Sequence, residues 1–116
     1  MPEVVDIYED SAGGLRVWPP IVFVHKAGGT IRWQNHTAHP LDLRDLPANV
    51  FVGVGNPHPI GAAVVGAPTP SVPAPAPGHP VGPAAVRGRT YKYNVTYTDP
   101  ATGITIWAKG SESGVD

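Results

Sequence analysis

Thr30-Ile31-Arg32-Trp33-Gln34-Asn35-His36-Thr37-Ala38-His39-Pro40-Leu41-Asp42-Leu43-Arg44 is the stretch whose reading decides the fold. Ile31 and Trp33 alternate with Thr30, Arg32 and Gln34; further on, Leu41 and Leu43 alternate with Asp42 and Arg44. A repeat of two in side-chain character is that of a strand with one buried face. The pattern predicts a half-buried antiparallel pair joined by a polar corner. That corner carries His36 and His39, the only two histidines close together in the sequence.

Outward from this stretch the same alternation recurs. Val4–Tyr8 is rich in β-branched residues and reads as a strand, followed by the turn composition Ser11-Ala12-Gly13-Gly14. Leu15–Trp18 reads as a short strand stopped by Pro19-Pro20, which lack the N–H a central ladder needs. Ile21-Val22-Phe23-Val24 is apolar at every position, as in a strand covered on both faces. Val50–Val54 reads as another strand. Thr90–Tyr97 alternates Tyr91, Tyr93, Val95 and Tyr97 with polar residues, and Thr98–Gly103 is a turn into a strand over Ile104–Lys109. No dozen residues show helical periodicity, so the fold class is all-β: an antiparallel Greek-key β-sandwich of seven to eight strands.

Composition agrees. The 116 residues suffice for one domain, 1–116, with one modest core. Pro (15) and Gly (14) make up a quarter of the chain, which disfavours helices. Nine of the prolines fall in Asn56–Gly88, which is read as a Pro/Gly-rich insertion, 56–88, within the domain. Its centre, Ala67–Pro77, favours polyproline II, and Pro68–Pro83 fully extended spans on the order of 50 Å. A net charge of −1 gives no electrostatic case for nucleic acid. No apolar run reaches the ~18 residues of a membrane-spanning helix, and the first residues lack the pattern of a signal peptide. The chain as written is therefore expected in the cytoplasm, or outside it if Met1 replaces a removed leader. Cysteine is absent, which excludes disulfides and thiolate catalysis.

Three stretches together resemble the cupredoxin-like family of β-sandwiches. They are Val17-Trp18-Pro19-Pro20-Ile21-Val22-Phe23-Val24, Lys26-Ala27-Gly28-Gly29-Thr30-Ile31-Arg32-Trp33-Gln34-Asn35 with His39, and Gly88-Arg89-Thr90-Tyr91-Lys92-Tyr93-Asn94-Val95. The resemblance covers roughly residues 3–54 and 88–110. It implies a histidine copper ligand a few residues after a Trp-x-Asn strand end, a place His39 occupies. It also implies a Cys, a second His and a Met from a loop after the final hairpin. Here that region is Gly110-Ser111-Glu112-Ser113-Gly114-Val115-Asp116, which holds none of the three. A blue-copper site needs the thiolate, so a type 1 copper centre is excluded. The resemblance also implies that the chain stops where a last strand would begin, so that either an edge is left open to strand addition or another segment or another molecule fills its place.

The remaining candidate chemistry lies in histidine. His36 and His39 could share a Cu or Zn ion, with His58 or His79 brought in by the Pro-rich segment and Asp42 and Asp45 the nearest acids in sequence. The bland alternative makes His36 and His39 corner residues and leaves His58 and His79 solvated. His25, at a strand end, reads as structural. There is no nucleophile elbow, helical metal-binding His pair or phosphate loop, so no enzymatic activity is expected. The aromatic set Trp33, Tyr91, Tyr93, Tyr97 and Trp107 reads as core. The leading expectation is a structural or interaction module that forms homo-oligomers or binds another protein, through an exposed edge or the Pro-rich arm. A His-only metal-binding protein is the alternative.

Overall fold

The structure is a computed structural model that describes residues 2–12, 14–37, 39–61 and 78–115. The centre of the Pro-rich segment, with its polyproline II expectation, lies outside the described residues. Among the described residues there is no helix. Nine strands are described: β1 (Pro2–Glu9), β2 (Leu15–Trp18), β3 (Ile21–Val24), β4 (Thr30–Asn35), β5 (Leu41–Arg44), β6 (His58–Ile60), β7 (His79–Pro80), β8 (Thr90–Thr98) and β9 (Thr105–Val115). They form two sheets, in the orders β2-β1-β4-β7 and β3-β9-β8-β5-β6. One buried cluster joins them: Val5, Ile7, Ile31 and Trp33 from the first sheet meet Val24, Leu41, Leu43 and Val95 from the second. An all-β, two-sheet architecture is thus as expected.

The pairing differs from the expectation in three ways. First, the sheets are mixed. β1 runs parallel to β4, and β3 runs parallel to β9. Second, β4 and β5 do not pair with each other: β4 belongs to the first sheet and β5 to the second. Alternation reports which residues are buried, not which strand they lie beside. Ile31 and Trp33 therefore face Leu41 and Leu43 across the core, and the polar corner carries the chain from one sheet to the other. Third, Gly110–Val115 is not a tail. β9 continues through it, held by β8 on one side and β3 on the other. Its small polar residues hide a strand because Ser113 and Gly114 are buried between those neighbours.

Smaller differences have local causes. Ile21–Val24 is apolar throughout yet covered on one face only, because its sheet packs on the core with one face and turns the other to solvent. Val22 and Val24 point into the core, while Ile21 and Phe23 are 47% and 59% exposed. Val50–Val54 forms no named strand; Phe51 makes one isolated bridge to Val81. Trp107 is exposed, whereas Trp33 and Tyr93 are core, as expected. Both ends of the Pro-rich segment belong to the sheets: β6 pairs with β5, and β7 with β4.

Turns follow from side-chain chemistry. Asp10 Oδ1 accepts the Ala12 and Gly14 N–H groups at 2.9 and 2.8 Å, and Oδ2 accepts Arg16 Nε at 2.9 Å. The Gly14 amide, then Arg16, hold this carboxyl below the usual aspartate range. This cradle closes the β1–β2 hairpin. Gly28, at φ +83°, occupies the left-handed region in the turn between β3 and β4.

Candidate functional site

The corner after β4 is built on Asn35, which is 3% exposed. Its Nδ2 donates to the carbonyls of His39 (2.8 Å) and Gly61 (3.0 Å), and its Oδ1 accepts the Thr37 N–H at 2.8 Å. Thr37 Oγ1 accepts the His39 N–H at 3.1 Å. The Trp-x-Asn ending therefore has a physical role: one buried amide fixes the corner and ties it to Gly61, just beyond β6.

The two corner histidines each engage a separate carboxylate of β1. His36 Nε2 lies 2.8 Å from Asp6 Oδ1, and His39 Nε2 lies 2.7 Å from Glu9 Oε1. The His39 ring stacks on Tyr97, with centroids 4.0 Å apart. Asp42 and Asp45, the acids nearest in sequence, turn elsewhere: Asp42 to Arg44 at 3.7 Å, and Asp45 to Asn94 at 2.7 Å. Asp6 and Glu9 were not legible as partners. They reach the corner through the parallel β1–β4 register, which sets Asp6 beside Gln34 and Ile7 beside Asn35. No local pattern reports that register. These histidine–carboxylate contacts are partly exposed, where such contacts contribute about 0–1 kcal/mol.

The other two candidates do come together. His58 opens β6 and His79 opens β7, the end strands of the two sheets. Their rings meet edge to face with centroids 5.0 Å apart. His79 Nδ1 lies 2.9 Å from the Val52 carbonyl oxygen. A carbonyl only accepts, so Nδ1 carries the proton and the neutral ring has its lone pair on Nε2. Burial pushes the His58 pKa below the ordinary histidine value, and the neighbouring His79 adds to this. His25 lies in the turn after β3, where its carbonyl accepts the Gly29 N–H at 3.1 Å. Among the described residues no group of three or more His, Cys, Asp or Glu side chains is placed to hold a metal.

A third feature is the side of β3 that has no neighbouring strand among the described residues. Glu112 N–H donates to the Pro20 carbonyl at 2.8 Å, so Pro20, Val22 and Val24 direct their backbone groups toward β9. By strand alternation, the N–H and C=O groups of Ile21 and Phe23 point away from it. The Phe23 ring lies over Gly114, where a Cβ would collide with it.

Comparison with known proteins gives no match: no protein-family model, no curated protein and no solved structure aligns significantly with this chain. No helix among the described residues is long and apolar enough to cross a membrane. Fold and sites together define the class as an all-β, two-sheet module whose polar clusters are built on histidine and carboxylate.

Proposed function

We propose that this chain is a non-enzymatic interaction module, a cupredoxin-like Greek-key sandwich without a type 1 copper centre, that self-associates through β3. The single observation that carries this reading is the β3 edge. Ile21 and Phe23 present outward-facing backbone donors and acceptors together with exposed apolar side chains. Natural edge strands are usually guarded by charge, by proline or by cover. Here the guards, Pro19-Pro20 and Lys26, stand beyond the ends of the strand and leave its middle open. Two β3 strands related by a two-fold axis can pair antiparallel, so that Ile21 and Phe23 of each copy serve the other. The contact is small, because β3 has four residues, and so belongs with weak, reversible association.

The cupredoxin-like part of the reading is supported by position. Trp33 and Asn35 close β4, His39 follows in the corner, and the late Tyr-rich strand pairs with the final one. The segment where the resemblance would place Cys, His and Met ligands is strand β9 instead. The sequence supplies no cysteine for such a site.

Sedimentation velocity of the untagged chain across the micromolar range tests self-association. A monomer–dimer equilibrium is expected, and Ile21→Lys, at an exposed position, should leave a folded monomer. A wild-type chain that stays monomeric throughout, or an Ile21→Lys variant that dimerises equally well, would sink the proposal.

A further inference from the structure

His58 and His79 lie far apart in sequence and on different sheets, yet each opens the strand that ends its sheet. The open side of the sandwich is thereby closed by two imidazoles in contact. Both rings are only partly exposed. The surroundings fix His79 on three sides. Val52 O holds Nδ1 at 2.9 Å, Trp33 packs with its ring centroid 5.9 Å away, and a Cβ at Gly53 would stand 3.4 Å from Nδ1. A carbonyl accepting the second ring N–H is the usual outer partner of a metal-ligating histidine, because it fixes both tautomer and ring orientation.

We propose that His58 and His79 form a two-imidazole site for a borderline first-row divalent cation, with His79 binding through Nε2. The spacing fits. Two imidazoles on one tetrahedral ion, with metal–nitrogen bonds of about 2.0 Å, have ring centres on the order of 5 Å apart. The observed separation is 5.0 Å, and because the rings meet edge to face, one imidazole turns about its side-chain bonds to bring its nitrogen to the shared ion. The donor set decides the ion class. Neutral imidazole suits Cu(II) and Zn(II), with Cu(II) the tighter, and offers nothing to Mg(II) or Ca(II), which take oxygen ligands. Water completes the coordination. The corner histidines do not form such a pair: Nε2 of each is directed to a different carboxylate, His36 to Asp6 and His39 to Glu9.

Calorimetric titration of the untagged Ile21→Lys chain with Cu(II), and separately with Zn(II), tests the site without interference from self-association. About one equivalent per chain is expected, with His58→Gln and His79→Gln each weakening binding at least about tenfold, while His36→Gln and His39→Gln leave it unchanged. Addition of substoichiometric Cu(II), followed by NMR on the chain with all its histidines intact, should broaden the His58 and His79 imidazole signals first. This readout holds even if a variant fails to fold. Binding no tighter than millimolar overturns the assignment, as does broadening centred on His36 and His39, or binding indifferent to both His58→Gln and His79→Gln in folded variants.

Discussion

Asn35 shows how much one buried amide can settle. It accepts the buried Thr37 N–H and donates to the carbonyls of His39 and Gly61, so the Thr37 amide is the group left buried without it. A buried polar group left without its partner costs about 1–3 kcal/mol. Asn35→Ala is therefore expected to lower unfolding free energy by about 2 kcal/mol, as measured by urea denaturation. A loss under about 1 kcal/mol would show that water replaces the amide at all three partners. His36 and His39 attract attention in the sequence, but the residue that organises their corner is the asparagine before them. In the sequence His58 and His79 stand either solvated or as a third ligand for the corner pair, and only the two sheet ends bring them to each other.

At the scale of elements, close backbone approach matters more than local propensity. At Gly82 an added Cβ would run into the Asn49 carbonyl, in a segment held by hydrogen bonds from Gly82 N–H to Val50 O (2.7 Å) and from Ala84 N–H to Asn49 O (3.0 Å). At Gly114 the obstacle is the ring of Phe23, an exposed side chain that can swing aside. Overpacking against fixed structure costs about 1–3 kcal/mol. Gly82→Ala is expected to cost about 2–3 kcal/mol and Gly114→Ala under about 1 kcal/mol, compared by thermal or urea unfolding. Equal costs would mean that Phe23 is as rigidly held as backbone. The same two stretches explain the elements that alternation misjudged. Val50–Val54 is apolar enough for a strand but is tied as a loop to the 81–85 stretch, whereas Gly110–Val115 is too small and polar to read as a strand but is paired on both sides.

Across the whole molecule, the two sheets share one core and differ in their edges. The first ends at β2 and β7, the second at β3 and β6. The β6 and β7 ends meet at the histidine pair, while β3, with its exposed apolar residues, has no outer neighbour among the described residues. If β3 joins two copies, folding and association are linked: the dimer binds the native state only, so apparent stability rises with protein concentration. The midpoint of thermal unfolding of the wild-type chain should therefore increase from low to high micromolar concentration, and that of Ile21→Lys should not. A concentration-independent midpoint in both would remove the linkage.

The sequence by itself determined the class of structure and much of the core. Period-two alternation marked Ile31, Trp33, Leu41, Leu43, Tyr91, Tyr93, Val95 and Tyr97 for the core; all are buried except Tyr91 and Tyr97, which are half-buried. The lack of cysteine excluded thiolate chemistry before any geometry was known. Alternation is local, and it carries no information about neighbours. Only the tertiary structure decided that β4 and β5 lie in opposite sheets, that β1 and β4 run parallel, and that β9 continues to Val115 between β8 and β3. Only it decided that the four candidate histidines divide, two held by carboxylates of β1 and two facing each other where the sheets end. The physical reason is the same in each case: strand order and register arise from hydrogen bonds between distant segments, and side-chain periodicity is the same whichever segments pair.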